Sequence, residues 1–392
     1  MRLMPIPITY NIRNLAVRKT TTAMTALGIA LTVAVLCAVL SMVEGLRVAF
    51  TSSGHPLNLL LIRKGSGAEL TSVVSRNDFN EVIRFRPGIA PDQEGQPLAS
   101  LELVTIINLP SREYPEGVNV NVRGLSPTGL ELRKETRLER GRWFQAGRRE
   151  VVVGLEIASQ NPDAQVGRSI RFGRGEWQIV GVFESGYPAR NSEIWGDLDQ
   201  VRSDLNRFDA CSSVLLRATD PVAMRALTSE FLVEQRLQLD VQPETDYFAK
   251  QTDSGEIIRY LGTFVAIIMA VGSCFAAMNT MYAAVARRSQ EIGTLRVLGF
   301  SRFSILLCFV LESLLISLLG GALGVVLILP LHGLSTGVGS MTTFAETSFQ
   351  LAITPKVVLS GMGFALIMGA LGGFLPAFSA ARKQILVALR QI

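Results

Sequence analysis

Long apolar runs near the N-terminus and in the last third of the chain flank a mixed polar and apolar middle region. The first run, residues 21–43, is uncharged over most of its length and long enough to cross about 30 Å of hydrocarbon as a helix. Three further runs of sufficient length lie at 256–285, 303–331 and 357–378. This pattern predicts four membrane-spanning helices, with a large domain of residues 44–255 inserted between the first two.

The segment before the first apolar run is basic. Residues 1–20 carry four Lys and Arg residues, and their apolar residues share one helical face. Such a segment either lies along a membrane surface as an amphipathic helix or only orients the first span. The run that follows is longer than the apolar part of a signal peptide and lacks a small-x-small cleavage site, so we expect a retained span.

The middle region has the features of a soluble α+β domain. The stretch Val118–Val122 alternates apolar and polar residues, which is the period of a half-buried strand. Asp220 followed by Pro221 provides an N-cap and a first-turn proline, which predict a helix to about Gln235. Strands around a helix favour an α+β fold, either as one unit or as two subdomains divided near residues 125–210.

Basic residues near the ends of the runs predict the orientation. The N-terminal segment, the segment 286–302 and the tail 379–392 carry most of them, whereas the short loop 332–356 has only Lys356. We therefore expect both termini and the segment 286–302 on the cytoplasmic side of the membrane. The domain of residues 44–255 and the short loop should then lie outside.

A short charged helix is predicted between the second and third spans. Ile292, Leu295 and Leu298 recur at helical spacing with charged residues between them. Gly299 should end this helix, because glycine accepts the left-handed conformation that a helix C-terminus needs. Ser301 is positioned to cap the next helix. A polar helix held between two spans is suited to contact with a soluble partner.

Small residues on the apolar runs predict close packing of helices, because close backbone approach stabilises helix pairs in lipid. The residues that we assign to this packing are Gly262, Ala266, Gly320, Gly324, Gly369 and Gly373. Their contacts could lie within the chain or with a second copy, and small residues are also common in membrane helices generally.

One carboxylate lies inside a predicted span. Glu312 is about ten residues into the third apolar run, roughly 15 Å along the helix. A charge at that depth is costly unless it has a partner or faces a cavity. Glu312 is therefore either a packing residue that is hydrogen-bonded to a neighbour or part of the moving machinery.

The composition argues against several classes of function. The net charge of +5 comes with basic residues beside apolar runs, which indicates membrane topology rather than nucleic-acid binding. The two histidines are in no HExxH pattern, and the sequence contains no P-loop. The four cysteines provide no metal or disulfide framework. We expect no catalytic residue, metal or cofactor in this chain.

Two adjacent segments carry a family resemblance. RRSQEIGTLRVLGFSR (Arg287–Arg302) resembles the cytoplasmic coupling segment of ABC transporter permeases of the MacB–FtsX superfamily, and LESLLISLLGGALG (Leu311–Gly324) resembles the third span of these permeases. Further similar segments are Asn11–Ala34, Leu138–Phe144, Glu150–Gly154, Val166–Phe183 and Pro376–Arg390. The resemblance covers nearly the whole chain, and the middle segments resemble the MacB-type periplasmic core.

The resemblance implies a function and a set of partners. The chain would be the permease of an ABC transporter that exports or extracts an envelope substrate, such as a drug, peptide, lipid or lipoprotein. It would form a homodimer, or pair with a related permease, in membrane lipid. Two copies of a separate ATPase subunit would bind ATP and Mg, and a periplasmic adaptor protein would be a further partner. The alternative is an FtsX-like regulator whose motion activates a periplasmic enzyme, but the large outer domain favours transport.

The resemblance also assigns an ATPase-coupling role to residues of the charged helix. These residues are Arg287, Arg288, Glu291, Ile292, Gly293, Leu295, Arg296 and Gly299. In this hypothesis Ile292 and Leu295 are the apolar contacts with the ATPase, and the flanking charges set the orientation. The motion would pass through the first and second spans to the outer domain.

Overall fold

A computed structural model describes residue 17 and residues 19–111, 115–251, 253–339 and 345–382. Most of the predicted N-terminal amphipathic segment and of the C-terminal tail lies outside these residues. The described residues divide into two compact units. The membrane unit takes its residues from Met1–Gly45, Glu256–Leu334 and Leu351–Ile392, and the α+β unit takes its residues from Leu46–Gly255 and Ser335–Gln350.

The helices are numbered here in chain order. They are α1 (Lys19–Thr51), α2 (Arg76–Asp78), α3 (Pro127–Glu131), α4 (Leu155–Gln160), α5 (Leu198–Asp204), α6 (Pro221–Val233), α7 (Glu244–Gln251), α8 (Asp253–Arg287), α9 (Ser289–Val297), α10 (Arg302–Ile328) and α11 (Pro355–Arg382). Short 3₁₀ or π turns lie at Glu69–Thr71, Phe79–Ile83, Pro188–Ser192 and Leu329–Leu331.

Four of these helices, α1, α8, α10 and α11, are long and apolar enough to cross a membrane. Their positions match the four apolar runs, but α1 continues to Thr51 rather than ending at residue 43. The next residue with a positive φ is Gly54, at +96°, and this is where the chain leaves the helical direction. Helix α8 has 35 residues, or about 52 Å, which exceeds the thickness of the hydrocarbon layer.

The strands of the α+β unit form one ten-stranded mixed sheet and two small sheets. They are β1 (Asn58–Arg63), β2 (Val74–Ser75), β3 (Ala99–Leu109), β4 (Val118–Leu125), β5 (Arg137–Gly141), β6 (Glu150–Gly154), β7 (Ser169–Phe172), β8 (Gly175–Glu184), β9 (Glu193–Asp197), β10 (Ala210–Cys211), β11 (Ser213–Arg217), β12 (Leu239–Pro243), β13 (Ser335–Gly339) and β14 (Glu346–Gln350). The main order is β12-β1-β11-β3-β4-β9-β6-β8-β5, with β7 on β8.

The α+β fold predicted for the middle region is confirmed. The alternating stretch Val118–Val122 lies in β4, which pairs antiparallel with β3 and parallel with β9. The Asp220 side chain accepts hydrogen bonds from two backbone N–H groups and Pro221 opens α6, as predicted. Residues 125–210, considered as a possible separate subdomain, contribute strands to the same continuous sheet.

The loop predicted at 332–356 contains a hairpin of β13 and β14 that belongs to the α+β unit. The Ser348 N–H donates to Ser192 Oγ at 2.9 Å, and Gln160 Nε2 lies 3.0 Å from Ser348 Oγ. Phe349 is fully buried. The short connection between α10 and α11 is therefore anchored on the α+β unit by its own strands.

Candidate functional site

Helix α9 is the charged helix that the sequence predicts between two spans. Capping contacts define its C-terminal end and the start of the next helix, α10. Gly299 has a φ of +94°, and its N–H donates to Arg296 O at 3.2 Å. The N–H of Phe300 donates to Leu295 O at 3.1 Å, which completes a Schellman motif. Ser301 Oγ then accepts the Ser304 N–H at 3.1 Å and caps α10, as the sequence predicts.

One side of α9 packs against the membrane unit itself. Ile292 is 2% exposed and lies in an apolar cluster with residues of α8, α10 and α11. Gly293 is buried as well. Ile292 is therefore inaccessible to a partner in this structure, which argues against the predicted ATPase contact at this residue. Helical spacing identified the apolar face correctly, but that face is occupied by Met281 and Phe309 of the same chain.

The other side of α9 is open. Glu291 and Thr294 are exposed, and Leu295 is only half-buried. At the C-terminal end Val297 is 64% exposed and Leu298 is 71% exposed. Two large apolar side chains beside charged ones at a helix end provide the kind of anchor that a protein partner would cover.

The remaining arginines of the predicted coupling set differ in position. Arg287 is exposed and its Nε donates to Ala283 O at 3.3 Å, one turn back in α8. Arg296 is half-buried, and its Nη1 donates to Phe300 O at 3.2 Å, so it stabilises the turn after α9. Arg288, in contrast, is 4% exposed and points into the membrane unit.

Arg288 is paired with the carboxylate inside the third span. Its Nη1 donates to Glu312 Oε2 at 2.9 Å, and both side chains are only 4% exposed. Glu291 lies at the edge of this pair, 4.0 Å from Arg288 Nε. Arg288 is thus an internal partner of Glu312 in this structure, and its burial argues against the predicted ATPase contact at this residue. The partner reduces the cost of a charge at this depth.

The small residues on α10 mark where this helix meets α1. A methyl group built on Gly320 would lie 2.7 Å from Ala26 O, and one on Gly324 would lie 2.6 Å from Ala30 O. These distances leave no room for a side chain, so the two backbones depend on glycine for their approach. These two glycines, four residues apart, therefore pack against a helix of the same chain.

The small residues on the other helices also have partners within the chain. Gly369 and Gly373 of α11 face Ser317 and Ser313 of α10, and Ser313 Oγ donates to Gly369 O at 2.7 Å. In α8, Gly262 faces Val39 of α1. Ala266, also on α8, is 1% exposed. The packing assigned to these glycines is intramolecular, and a homodimer stays a prediction.

A buried polar cluster in the α+β unit was not predicted from the sequence. Arg123 of β4 lies at its centre and bonds Glu69 at 2.7 Å, Glu102 at 2.9 Å and Glu193 at 2.8 Å. The Trp195 indole donates to Glu193 at 2.7 Å. Burial disfavours the charge on Glu193, but Arg123 and these hydrogen bonds outweigh it, so the pKa of Glu193 lies below its ordinary value.

The cluster continues toward the start of α7. Arg190 is buried and pairs with Glu244, the first residue of α7, and with Glu135 at 3.0 Å. Asn58 Nδ2 donates to the same Glu244 at 2.8 Å. Burial raises the pKa of Glu244, but Arg190, Arg133 and the hydrogen bonds from the His55 N–H and from Asn58 together lower it by more, so the pKa lies below its ordinary value. These charged side chains are paired with one another. The part of the chain that the structure describes contains no group of three or more His, Cys, Asp or Glu side chains arranged to hold a metal ion.

Together, four apolar helices and an α+β domain inserted after the first define a multi-pass membrane protein with a large domain outside the spans. Two family models match this architecture: the MacB-like periplasmic core domain over residues 22–232 and the FtsX-like permease C-terminal over residues 263–385. The first match alone covers more than half of the chain. The chain belongs to the MacB–FtsX superfamily of ABC transporter permeases.

Similar curated proteins match nearly the whole chain. The macrolide export ATP-binding/permease protein MacB of Pasteurella multocida is 27% identical over 398 residues, covering 95% of this chain and 58% of that protein. The protein of the same name from Bdellovibrio bacteriovorus is 24% identical over 410 residues, covering 96% of this chain and 60% of that protein. The chain thus spans about three fifths of the length of these relatives.

Solved structures of outer domains are also similar. The extracellular domain of the ABC-type transporter YknZ from Gram-positive bacteria matches with a TM-score of 0.36 and 13% identity, covering 47% of this chain and 99% of that one. The periplasmic region of MacB from Actinobacillus actinomycetemcomitans matches with a TM-score of 0.35 and 12% identity, covering 48% of this chain and 89% of that one.

Proposed function

We propose that this chain is the permease subunit of an ABC transporter and that α9 docks on an ATPase carried by a separate chain. The ATPase would bind ATP and Mg, and its motion would reach the α+β domain through the membrane helices. The substrate would be an envelope molecule, such as a drug, peptide, lipid or lipoprotein, that is exported or extracted. Macrolides, named for the MacB relatives, are one class to assay.

One observation supports this proposal above the others. Helix α9 is fixed on its inner side by Ile292 and by the Arg288–Glu312 pair, while Val297 and Leu298 are exposed at its C-terminal end. A helix that is immobilised in this way transmits force instead of yielding to it. Its exposed apolar residues would be the anchor of the ATPase contact, in place of Ile292.

The proposed assembly follows from the topology and the family. Segment 286–302 and both termini would lie in the cytoplasm, and the α+β domain would lie in the periplasm. Two permeases would pair in the inner membrane with two ATPases, because closed two-fold assemblies are the commonest oligomers. A periplasmic adaptor is a further proposed partner. The match of the MacB-like core over residues 22–232 favours transport over FtsX-like signalling.

The test is Leu298→Asp in the full chain, expressed from its own genomic neighbourhood and purified in mild detergent. We expect loss of the co-purifying ATPase by at least about tenfold, because truncating or charging a central anchor costs ~2 kcal/mol or more. ATP turnover in the reconstituted complex would fall accordingly. Yield and dimer content of the permease should stay unchanged.

Leu232→Asp is the matched control, because Leu232 is also an exposed leucine, at 54% against 71% for Leu298, and lies on α6 of the α+β unit. This control should keep the ATPase bound. Equal ATPase recovery from Leu298→Asp and from the wild type would show that the exposed end of α9 is a solvated turn and would remove the main support for the proposal.

A further inference from the structure

Helix α10 is the element on which the internal contacts of the membrane unit converge. It meets α1 at Gly320 and Gly324, where the backbones touch. It meets α11 where Ser313 bonds the backbone of Gly369. Its third contact is Glu312, which receives Arg288 from the junction of α8 and α9.

Arg288 is placed where the chain turns from α8 into α9. It has a φ of −100° and a ψ of +17°, so it is outside both helices, and it precedes α9 directly. Its guanidinium bonds a residue 24 positions further along the chain. The pair therefore joins the start of α9 to the body of α10, two elements that are separate in the sequence.

We infer that the Arg288–Glu312 pair is a latch that makes α9 and α10 move as one body, so that force on α9 enters the membrane unit through the third span. This inference rests on the proposed coupling function of α9. It differs from transmission through the first and second spans alone, because α10 passes the motion to α1 through the glycine contacts and to α11 through Ser313. Arg288 and Glu312 are then positioning residues and not part of the ATPase contact.

The physical basis is the cost of separating two buried charges. Breaking such a pair leaves an uncompensated charge in a medium of low dielectric constant, which is strongly unfavourable. Ile292 also shares an apolar cluster with Ile305 and Phe309 of α10 on the same side of α9. Opening α9 away from α10 would break both kinds of contact at once.

Cys308 is a natural reporter of this closure. It lies one turn before Glu312 on α10, is buried, and lines the narrow gap between α9 and α10 together with Leu295 and Phe309. Its sulfur is not in a disulfide. In a chain in which Cys37, Cys211 and Cys274 are replaced by alanine, the labelling rate of Cys308 by a small maleimide measures how often α9 opens.

The first readout uses the permease alone in mild detergent. Glu312→Gln should raise the Cys308 labelling rate about tenfold or more, because it removes the charge that holds Arg288. Arg288→Lys keeps the charge pair and should label at close to the wild-type rate. Helical circular dichroism and size-exclusion profiles establish that both variants are folded. Wild-type labelling of Cys308 in Glu312→Gln would overturn the latch, whether or not an ATPase binds α9.

The second readout uses the complex with the co-purified ATPase. A reporter cysteine in place of the exposed Leu334, just beyond α10, is labelled with and without ATP. In the chain with the intact Arg288–Glu312 pair, and in Arg288→Lys, ATP should change the rate at which the cysteine at position 334 is labelled. In Glu312→Gln, ATP turnover should persist while the labelling rate no longer responds to ATP. An unchanged ATP response in Glu312→Gln would contradict transmission through α10. Absence of a co-purifying ATPase from the chain with the intact pair would instead count against the docking of α9, and the first readout would still decide on the latch.

Discussion

The two units of this protein are stabilised in opposite ways. In the membrane unit, helices approach closely at glycine, against the backbone of Ala30 at Gly324 and against the Ser313 side chain at Gly373, and the Ser313 hydroxyl bonds the neighbouring helix. The α+β unit instead has a large apolar core on its sheet and, beside it, charged clusters around Arg123 and Arg190. Close packing of helices stabilises the membrane unit. The α+β unit is stabilised by burial of apolar surface, and its buried charged side chains are paired with one another.

The reason for the difference is the solvent around each unit. In lipid, apolar side chains gain nothing by leaving the solvent, so contact distance and hydrogen bonds decide which helices pair. In water, burial of apolar surface drives folding and can offset the desolvation of a well-paired arginine. The Arg288–Glu312 pair in the membrane unit is therefore unusual for its surroundings, which is a further reason to assign it a mechanical role.

The largest effect that this comparison predicts is in the α+β unit. Arg123→Met should lower the free energy of unfolding by about 3–5 kcal/mol, because Glu69, Glu102 and Glu193 lose their common partner while they stay buried. The measurement is thermal or urea unfolding of the full chain followed by tryptophan fluorescence. All three tryptophans of the sequence lie in this unit, so the signal reports on it specifically.

Lys134→Met is the control for that variant. Lys134 makes an exposed pair with Glu131 at 3.9 Å, and loss of such a pair changes stability by about 0–1 kcal/mol. A similar small change for Arg123→Met would mean that the buried charges are not coupled in the way the distances indicate.

The smaller effect is in the membrane unit and tests the importance of close fit. Gly373→Ala adds a methyl group against the Ser313 side chain of α10, which should destabilise the helix pair by about 1–3 kcal/mol. Gly363→Ala, on the same helix, meets nothing within 4 Å and should be neutral or slightly stabilising. Loss of helical circular dichroism in increasing SDS measures both variants. Equal midpoints would show that glycine at position 373 is incidental.

Much of the architecture could be predicted from local pattern. The length of the apolar runs indicated the four spanning helices, and alternation indicated strands such as β4. Asp220 with Pro221 at the start of α6, and Gly299 after α9, marked helix ends, because caps and left-handed glycines depend on the immediate sequence.

The candidate site was less predictable because its contacts join distant parts of the chain. Helical spacing placed Ile292 on an apolar face of α9 but did not indicate that α8 and α10 cover that face. Arg288 and Glu312 are 24 positions apart, and nothing local to either residue marks the other as its partner. The charges around Arg123 come from separate strands that only the sheet brings together. The β13–β14 hairpin has too little apolar pattern to be distinguished from a loop.

The most direct measurement of the central claim is photo-crosslinking from α9 in intact membranes. A photo-reactive phenylalanine analogue replaces Leu298 in one sample and the exposed Leu232 of α6 in the other. We predict that position 298 forms a crosslink to a nucleotide-binding ATPase chain, identified by mass spectrometry, and that position 232 does not. Crosslinks from position 298 to lipid or to this chain alone, with the ATPase present in the same membranes, would contradict the assignment of α9 as the coupling helix.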